Sequence, residues 1–361
     1  MIHIKKQLAA TLLVSTCSLA ANAVGINFDK TVVPNCDLDE QAKIYTCNNS
    51  AADKSNNIYI ASDYTVIMND TYDNDTGIFV SADNGNGTLN AAAAILGADA
   101  KLIGTLDSAS TVALGADAKI EGNVISVTTV ALGAGAKVKA NVHTSDDIYI
   151  INAGSTLALG AEAKVTGDVY ATTTIAIGAD GEVDGSLHAG TTVALGANSK
   201  VSGNVLAGTT VALGADSYVL KDVTSTSSTI ALGVNAYIKG ETTSKMSTTL
   251  GAGAYTCGNV NAVTATLGAG SLVKGNLEAT TSTLAAGGFV LGHIHGTTAT
   301  LGANACFGTD MDGVTTTTLG AGAGKCRTFP NTTDTTVVTD VSVITDTDVA
   351  DSTDAAKKKC L

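Results

Sequence analysis

The segment TVALGADAKIEGNVISVT, from Thr111 to Thr128, decides the fold, because the chain repeats it many times. Close copies are TLALGAEAKVTGDVYATT from Thr156 and TVALGANSKVSGNVLAGT from Thr192. The aliphatic residue at the fourth position recurs every 17–19 residues in all steps but one. A period of this length over most of a chain is typical of solenoid architectures. The 13 members of this leucine column are Leu96, Leu114, Leu132, Leu159, Ile177, Leu195, Leu213, Leu232, Leu250, Leu267, Leu284, Leu301 and Leu319.

Other positions of the repeat recur with the same period as the leucine column. Aliphatic residues stand two before, six after and ten after it, as at Val112, Ile120 and Val124. Apolar residues two apart indicate strands, and the glycines between them indicate turns. One coil cannot bury its own inner face, so coils must stack on one another. We predict an all-β fold, a single-stranded parallel β-helix (β-solenoid) of roughly 13 triangular coils of about 18 residues.

The repeat divides the chain into four predicted segments. Residues 1–23 read as a cleaved signal peptide, with an apolar run from Leu8 to Val14 and an A-x-A cleavage site at Ala21-Asn22-Ala23; the alternative is a lipoprotein acylated at Cys17. We predict an irregular N-terminal cap with some strand pairing over 24–90, the β-helix over 91–327 and a Thr/Asp-rich tail over 328–361. The 27-residue step from Leu132 to Leu159 predicts an outward loop near His143, because half a coil would disturb the register.

Charge and cysteine usage limit the classes of function. The formal net charge is −13 and Arg327 is the sole arginine, which excludes a basic face for nucleic acid. After the signal peptide no apolar run approaches the ~20 residues of a transmembrane helix. Six of the seven cysteines follow residue 23, and an even number in an exported chain indicates disulfides, most simply Cys36–Cys47. The role of Cys360 stays open. We expect the protein in the periplasm, at the outer surface or outside the cell.

The pattern of a short aliphatic strand followed by G-A-x-A-K-V-x-G-N/D-V resembles bactofilins over residues 91–327. Bactofilins are bacterial proteins built as triangular β-helices that join end to end into filaments. Segments such as TTTLGAGAGK and ATLGAGSLVKGNL show a second, partial resemblance to the β-solenoid ice-binding proteins of bacteria and fungi. The first resemblance implies a polymer-forming role, and the second implies a flat surface that orders water.

Threonines gather on one predicted face of the last five coils. They stand three residues and one residue before the leucine column, so strand alternation directs them outward. Their expected spacing is ~6.7 Å along the strand and ~4.8 Å between coils. Threonine is also a good strand former, so the same files would suit any solenoid. We define the threonine face as Thr249, Thr264, Thr266, Thr281, Thr283, Thr298, Thr300, Thr316 and Thr318.

A second candidate surface combines histidines and aspartates. His293 and His295 flank the inward Ile294, and Asp310 and Asp312 take the same positions one coil later. Two imidazoles with neighbouring carboxylates suit a borderline divalent ion, although cross-strand His–Asp pairing without a metal is the commoner outcome. No catalytic motif accompanies this patch, so we predict no enzyme activity and no cofactor other than this optional divalent metal.

From the sequence we expect a structural protein of the cell envelope, surface or matrix that forms polymers or scaffolds by end-to-end or lateral self-association. The main alternative is an ice-binding protein that uses the threonine face, and a third is an adhesin-like surface protein. The expected partners are therefore further copies of this chain, and ice or components of the cell envelope.

Overall fold

The structure is a computed structural model that describes residues 25–47, 57–68, 70–73, 78–81, 88–139 and 151–326. These residues form strands and turns and contain no helix. Successive coils pair in parallel and form a β-solenoid of about 14 turns, with coils roughly 18 residues apart, which confirms the predicted fold class. The chain divides into an N-terminal unit, 1–190, and a C-terminal unit, 191–361. The predicted signal peptide with Cys17 and the predicted tail lie outside the described residues.

The strands of the N-terminal unit form three parallel ladders. The first ladder contains Gly25–Phe28, Asn57–Ile60, Ala93–Leu96, Thr111–Leu114, Thr129–Leu132, Thr156–Leu159 and Thr174–Ile177. The second contains Ile44–Cys47, Thr65–Met68, Lys101–Ile103, Lys119–Glu121, Lys137–Lys139, Lys164–Thr166 and Glu182–Asp184. The third contains Thr88–Ala91, Thr105–Ser108, Val124–Ser126, Ile151–Ala153, Val169–Ala171 and Leu187–Ala189. Two pairs are antiparallel, namely Cys36–Asp39 with Ile44–Cys47 and Asp70–Asp73 with Ile78–Ser81.

The C-terminal unit has the same three ladders, and two of its strands, Val260–Leu267 and Leu277–Leu284, run from the third ladder into the first. The first ladder also contains Thr192–Leu195, Thr210–Leu213, Thr229–Leu232, Ser247–Leu250, Thr298–Leu301 and Thr316–Leu319. The second contains Lys200–Val201, Tyr218–Val219, Tyr237–Ile238, Tyr255–Thr256, Leu272–Val273, Phe289–Val290, Cys306–Phe307 and Gly324–Lys325. The third is completed by Val205–Ala207, Val223–Ser225, Thr242–Ser244, Ile294–His295 and Met311–Asp312.

The core is a stack of aliphatic residues that alternate with outward side chains. In Thr111–Leu114, Val112 and Leu114 are buried while the two residues between and before them are partly exposed. Parallel pairing places Val112 on Val130 and Leu114 on Leu132 of the next coil. Each buried methylene contributes about 0.8 kcal/mol to stability, so repeated burial of Leu and Val makes up for the few aromatic rings in this chain.

The turn after the leucine column explains the recurring G-A-D, G-A-N and G-A-G triplets. Its third residue has a positive φ, which is 55° at Asp117, 57° at Asn198 and 63° at Gly253. Glycine, aspartate and asparagine adopt this left-handed conformation at low cost. The first glycine has a different role, because a Cβ at Gly133 would lie 2.7 Å from the carbonyl carbon of Gly115 in the preceding coil. Stacking of the coils therefore requires the smallest residue there.

The parallel ladders begin before residue 91, within the segment that the sequence assigned to an irregular cap. Phe28 pairs with Ile60 and Ile60 with Leu96, so the leucine column continues towards the N-terminus. These three residues are 32 and 36 positions apart, about twice the period of the repeat, because further segments separate the strands. An 18-residue count therefore misses them.

The N-terminal end of the solenoid is closed. Phe28, Tyr45 and Val33 are each at most 3% exposed, and the rings of Phe28 and Tyr45 meet at 5.0 Å between centroids. The Tyr45 hydroxyl accepts a hydrogen bond from the Lys30 N–H and donates one to the Thr31 carbonyl. Burial raises the pKa of the Tyr45 phenol. The predicted Cys36–Cys47 disulfide is present and staples the antiparallel hairpin at this end.

The additional residues of the long step lie between Lys139 and Ile151. Lys137–Lys139 pairs with Lys164–Thr166, so the second ladder is intact on the first side of this insertion. The third ladder places Ile151 between Val124 and Val169, at the position that a count of ten residues after Leu132 would give to Val142. The insertion therefore precedes the third strand of this coil, and Val142 itself lies outside the described residues. The predicted outward loop itself lies outside the described residues.

Candidate functional site

The threonine face consists of two rows of side chains, here called files, that run from coil to coil along the first ladder of the C-terminal unit and are in register. Thr264 pairs with Thr281, Thr281 with Thr298, and Thr298 with Thr316. The second file continues in the same manner from Thr249 to Thr318. Ser247 occupies the remaining position beside Thr249. The structure therefore brings together all nine residues of the predicted face as a grid of five coils by two.

These threonine side chains lie on the outside, as strand alternation requires. In the coil of Ser247–Leu250, Thr249 is exposed while Thr248 and Leu250 are buried. Thr266 is likewise exposed between the buried Ala265 and Leu267. The last coil is different, because every residue of Thr316–Leu319 is exposed. Among the described residues, no further coil pairs with this strand on its outer side, and the grid ends here.

A third file of threonines borders the face, and counting from the leucine column did not identify it. It contains Thr280, Thr297 and Thr315, which are all exposed and which directly precede Thr281, Thr298 and Thr316 of the face. The Thr297 hydroxyl donates to the Thr280 carbonyl at 2.9 Å, and the Thr315 hydroxyl donates to the Thr297 carbonyl at 3.2 Å. Each hydroxyl is thus bound to the coil below, which fixes the side chain. The signal was present in the sequence as Thr-Thr dipeptides.

The first ladder of the C-terminal unit carries no charged side chain at its outward positions, all of which the structure describes. The charges of this unit lie on the other two ladders or between strands, for example at Glu278 and Asp312 on the third ladder and at Asp216 and Lys239 between strands. A charged partner would lose hydration on this neutral face of hydroxyl and methyl groups without gaining an opposite charge. The face therefore suits a neutral partner with a regular surface. The surface thus differs chemically from the rest of the same unit.

The histidines and aspartates of the predicted metal patch are adjacent, but they divide into separate pairs. The His293 Nε2 lies 3.1 Å from the Glu278 Oε1, and the His295 Nδ1 lies 3.4 Å from the Asp312 Oδ2. Asp310 instead pairs with the Lys325 Nζ at 3.4 Å. Among the described residues, no three His, Cys, Asp or Glu side chains form a group that could hold a metal ion. The metal site therefore stays a prediction.

A shallow groove of about 450 Å³ separates this patch from the threonine face. Gly296 contributes to it, and a Cβ there would collide with the carbonyl oxygen of Ala279. The groove runs along a corner past four successive coils, and the coils of Ala279 and Gly296 pack closely there. Its lining is Ala262, Glu278, Ala279, Thr280, His295, Gly296, Thr297 and Gly313.

Two further observations concern the location of the protein. Besides Cys36–Cys47, a second described disulfide joins Cys306 and Cys326 in neighbouring coils of the second ladder. Both bonds are compatible with an oxidising, exported location. Within the described ranges, no helix is long and apolar enough to cross a membrane.

Comparisons with protein families, with curated proteins and with solved structures find no match for this chain. The resemblances to bactofilins and to ice-binding β-solenoids therefore rest on the repeat pattern alone. A fold does not imply a function, so the function has to be argued from the surfaces described above.

Proposed function

We propose that this protein is an exported ice-binding protein that uses the threonine face of its C-terminal unit. The observation that carries this proposal is the neutral grid of threonines in register over five coils, from Thr249 to Thr318. The resemblance of the TTTLGAGAGK segment to β-solenoid ice-binding proteins supports the same conclusion. The role is one of binding, without catalysis and without a required cofactor.

The rigidity of the ladders favours this function. Binding to a lattice is efficient when the binding groups are already fixed, because little conformational entropy is then lost. Strand pairing fixes the spacing of the two files at ~4.8 Å between coils and ~6.7 Å along each strand. The bordering file is held by hydroxyl-to-carbonyl bonds at Thr297 and Thr315. Hydroxyl and methyl groups thus form a repeated surface on which water can be ordered.

Thermal hysteresis of the purified mature chain, residues 24–361, tests the proposal. We expect the freezing point of a small ice crystal to fall below its melting point as the protein concentration rises, with faceted crystal growth. We also expect the protein to enter a slowly growing ice hemisphere. Equal melting and freezing points at all concentrations, together with exclusion from ice, would contradict the proposal.

A second candidate is the scaffolding role expected from the sequence, and the open C-terminal coil favours it. Leu319, the last member of the leucine column, is 52% exposed, and Thr317 is exposed beside it. Unpaired strand edges of this kind invite pairing with another chain. The N-terminal end is closed over Phe28 and Tyr45, so this candidate takes the form of joining through the C-terminal coil. Such joining produces pairs of molecules rather than long filaments.

Sedimentation velocity tests whether two copies join through the C-terminal coil. If the open coil joins two copies, the mature chain should sediment as a dimer at micromolar concentration, and Leu319→Asp should return it to the monomer because a charge would be buried at the joint. Negative-stain electron microscopy provides the control for longer assemblies. A wild-type monomer at all concentrations would exclude joining, and long filaments would show that both ends take part.

A further inference from the structure

Cys257 requires a partner that the two described disulfides do not supply. It lies at the end of a strand of the second ladder in the C-terminal unit and is itself disulfide-bonded. The chain has seven cysteines, and four of them form the two described bonds. Within one chain, only Cys17 and Cys360 remain. Cys17 belongs to the predicted signal peptide, which is removed on export, so the arithmetic favours Cys360.

The surface around Cys257 is apolar, unlike the lysine-bearing second ladder of the N-terminal unit. Its outward side chains form a file that we call the aromatic stripe, namely Tyr218, Tyr237, Tyr255, Leu272 and Phe289. Consecutive members pair in register from coil to coil. The rings of Tyr237 and Tyr255 stack at 5.6 Å between centroids, with planes 24° apart. A continuous apolar file on an outer face indicates a docking surface.

Tyr237 shows that this stripe is covered close to Cys257. It stands at an outward position, yet it is only 1% exposed. Its hydroxyl lies 3.1 Å from the Cys257 Sγ. Outward residues elsewhere on the second ladder, such as Lys119 and Lys137, are exposed. The cover is thus local, and it coincides with the disulfide-bonded cysteine.

The composition of the C-terminal tail, residues 328–361, is complementary to the aromatic stripe and to the lysines beside it. It contains the alternating stretch VVTDVSVITDTDV from Val337 to Val349, in which valine, isoleucine and threonine favour an extended strand. Aspartates at 340, 346 and 348 are complementary to Lys239 and Lys274, which follow Ile238 and Val273 on the second ladder. Apolar residues for the stripe and acidic residues for its flanks are thus present in one segment.

The length of the tail is sufficient. Cys326 lies four coils beyond Cys257 along the second ladder, a distance of about 19 Å at the ~4.8 Å spacing of coils. An extended chain covers up to ~3.3 Å per residue, so the segment from Cys326 to Cys360 reaches several times that distance. The tail can return along the ladder and still follow an irregular path.

We propose that the C-terminal tail, residues 328–361, docks along the aromatic stripe and is locked there by a disulfide between Cys257 and Cys360. The bond forms by thiol–disulfide exchange with a disulfide-donating oxidant of the exported compartment. The two thiols lose two protons and two electrons, and the donor disulfide is reduced to a dithiol. The stripe belongs to the second ladder, so the docked tail leaves the threonine face on the first ladder uncovered.

Peptide mapping without reduction tests the covalent part directly. The mature chain, with free thiols alkylated before digestion, should yield the tryptic peptide 246–274 joined to the dipeptide 360–361, and reduction should separate them. Cys360→Ser should leave Cys257 reactive with a maleimide under native conditions. A wild-type Cys360 that is alkylated as a free thiol, or a Cys257 joined to Cys17 or to a second copy, would overturn the proposal.

Limited proteolysis tests whether the disulfide holds the tail in a docked, protected state. Cleavage within 328–359 should be at least about ten-fold faster in Cys360→Ser than in the wild type, because native protection reflects the population of the closed form. A Cys36→Ser/Cys47→Ser double variant is the matched control, because it loses a disulfide elsewhere and should keep its tail protected. A chain that ends at Cys326 should bind a hydrophobic dye more strongly. Equal cleavage rates in wild type and Cys360→Ser would refute docking.

Discussion

Replacing Thr283 with tyrosine is expected to lower thermal hysteresis several-fold at equal protein concentration. Thr283 lies at the centre of the second file, between Thr266 and Thr300. A phenol ring at this position would stand above the neighbouring hydroxyl and methyl groups and keep a flat lattice away from several coils. The measurement is the difference between melting and freezing points at equal protein concentration.

The chain offers a matched control for this substitution. Thr243 occupies an outward position on the third ladder of the same unit, where it pairs with Thr224 and Asn261. Thr243→Tyr should leave hysteresis unchanged while adding the same side chain to a similar strand. Thermal unfolding of both variants should match the wild type, because neither side chain enters the core. An equal loss in both variants would show that the threonine face is not the binding surface.

Leu267→Ala is expected to cost 2–5 kcal/mol of stability, about the range found for large-to-small changes in protein cores. Leu267 is fully buried, and its strand holds it between Leu250 and Leu284 of the adjacent coils. The truncation would leave a cavity, and the neighbouring coils cannot move to fill it because strand pairing fixes the backbone on both sides. Urea unfolding of the mature chain, followed by circular dichroism, measures the change in free energy of unfolding.

The adjacent Thr266→Ala separates stability from function. Thr266 is exposed, so its loss should change stability by about 1 kcal/mol or less. The same change removes one hydroxyl from the centre of the grid and should lower hysteresis. If instead Leu267→Ala and Thr266→Ala destabilised the chain equally, the assignment of inward and outward positions on this strand would be wrong.

Much of the fold and of the candidate site was predictable because a solenoid turns sequence period into spatial register. Once Leu250, Leu267 and Leu284 are aligned by counting, parallel pairing must bring the threonines before them into files. The Cys36–Cys47 bond was equally predictable, because the two cysteines are close together in a chain whose sequence predicts export. Local pattern and stacking therefore agree over most of the described repeat.

The repeat, its inward columns and the threonine files could be read from the sequence, because each depends on positions within one period. The tertiary structure alone decided features that depend on long or irregular steps. It placed Phe28 and Ile60 in the leucine column, gave Ile151 the position expected for Val142, and buried Tyr237 at an outward site. It also separated the residues of the predicted metal patch into pairs, His293 with Glu278 and His295 with Asp312, because each imidazole lies against a carboxylate of a neighbouring coil. The effect of an insertion and the pairing of side chains depend on distances in space, and a count of 18 residues does not give those distances.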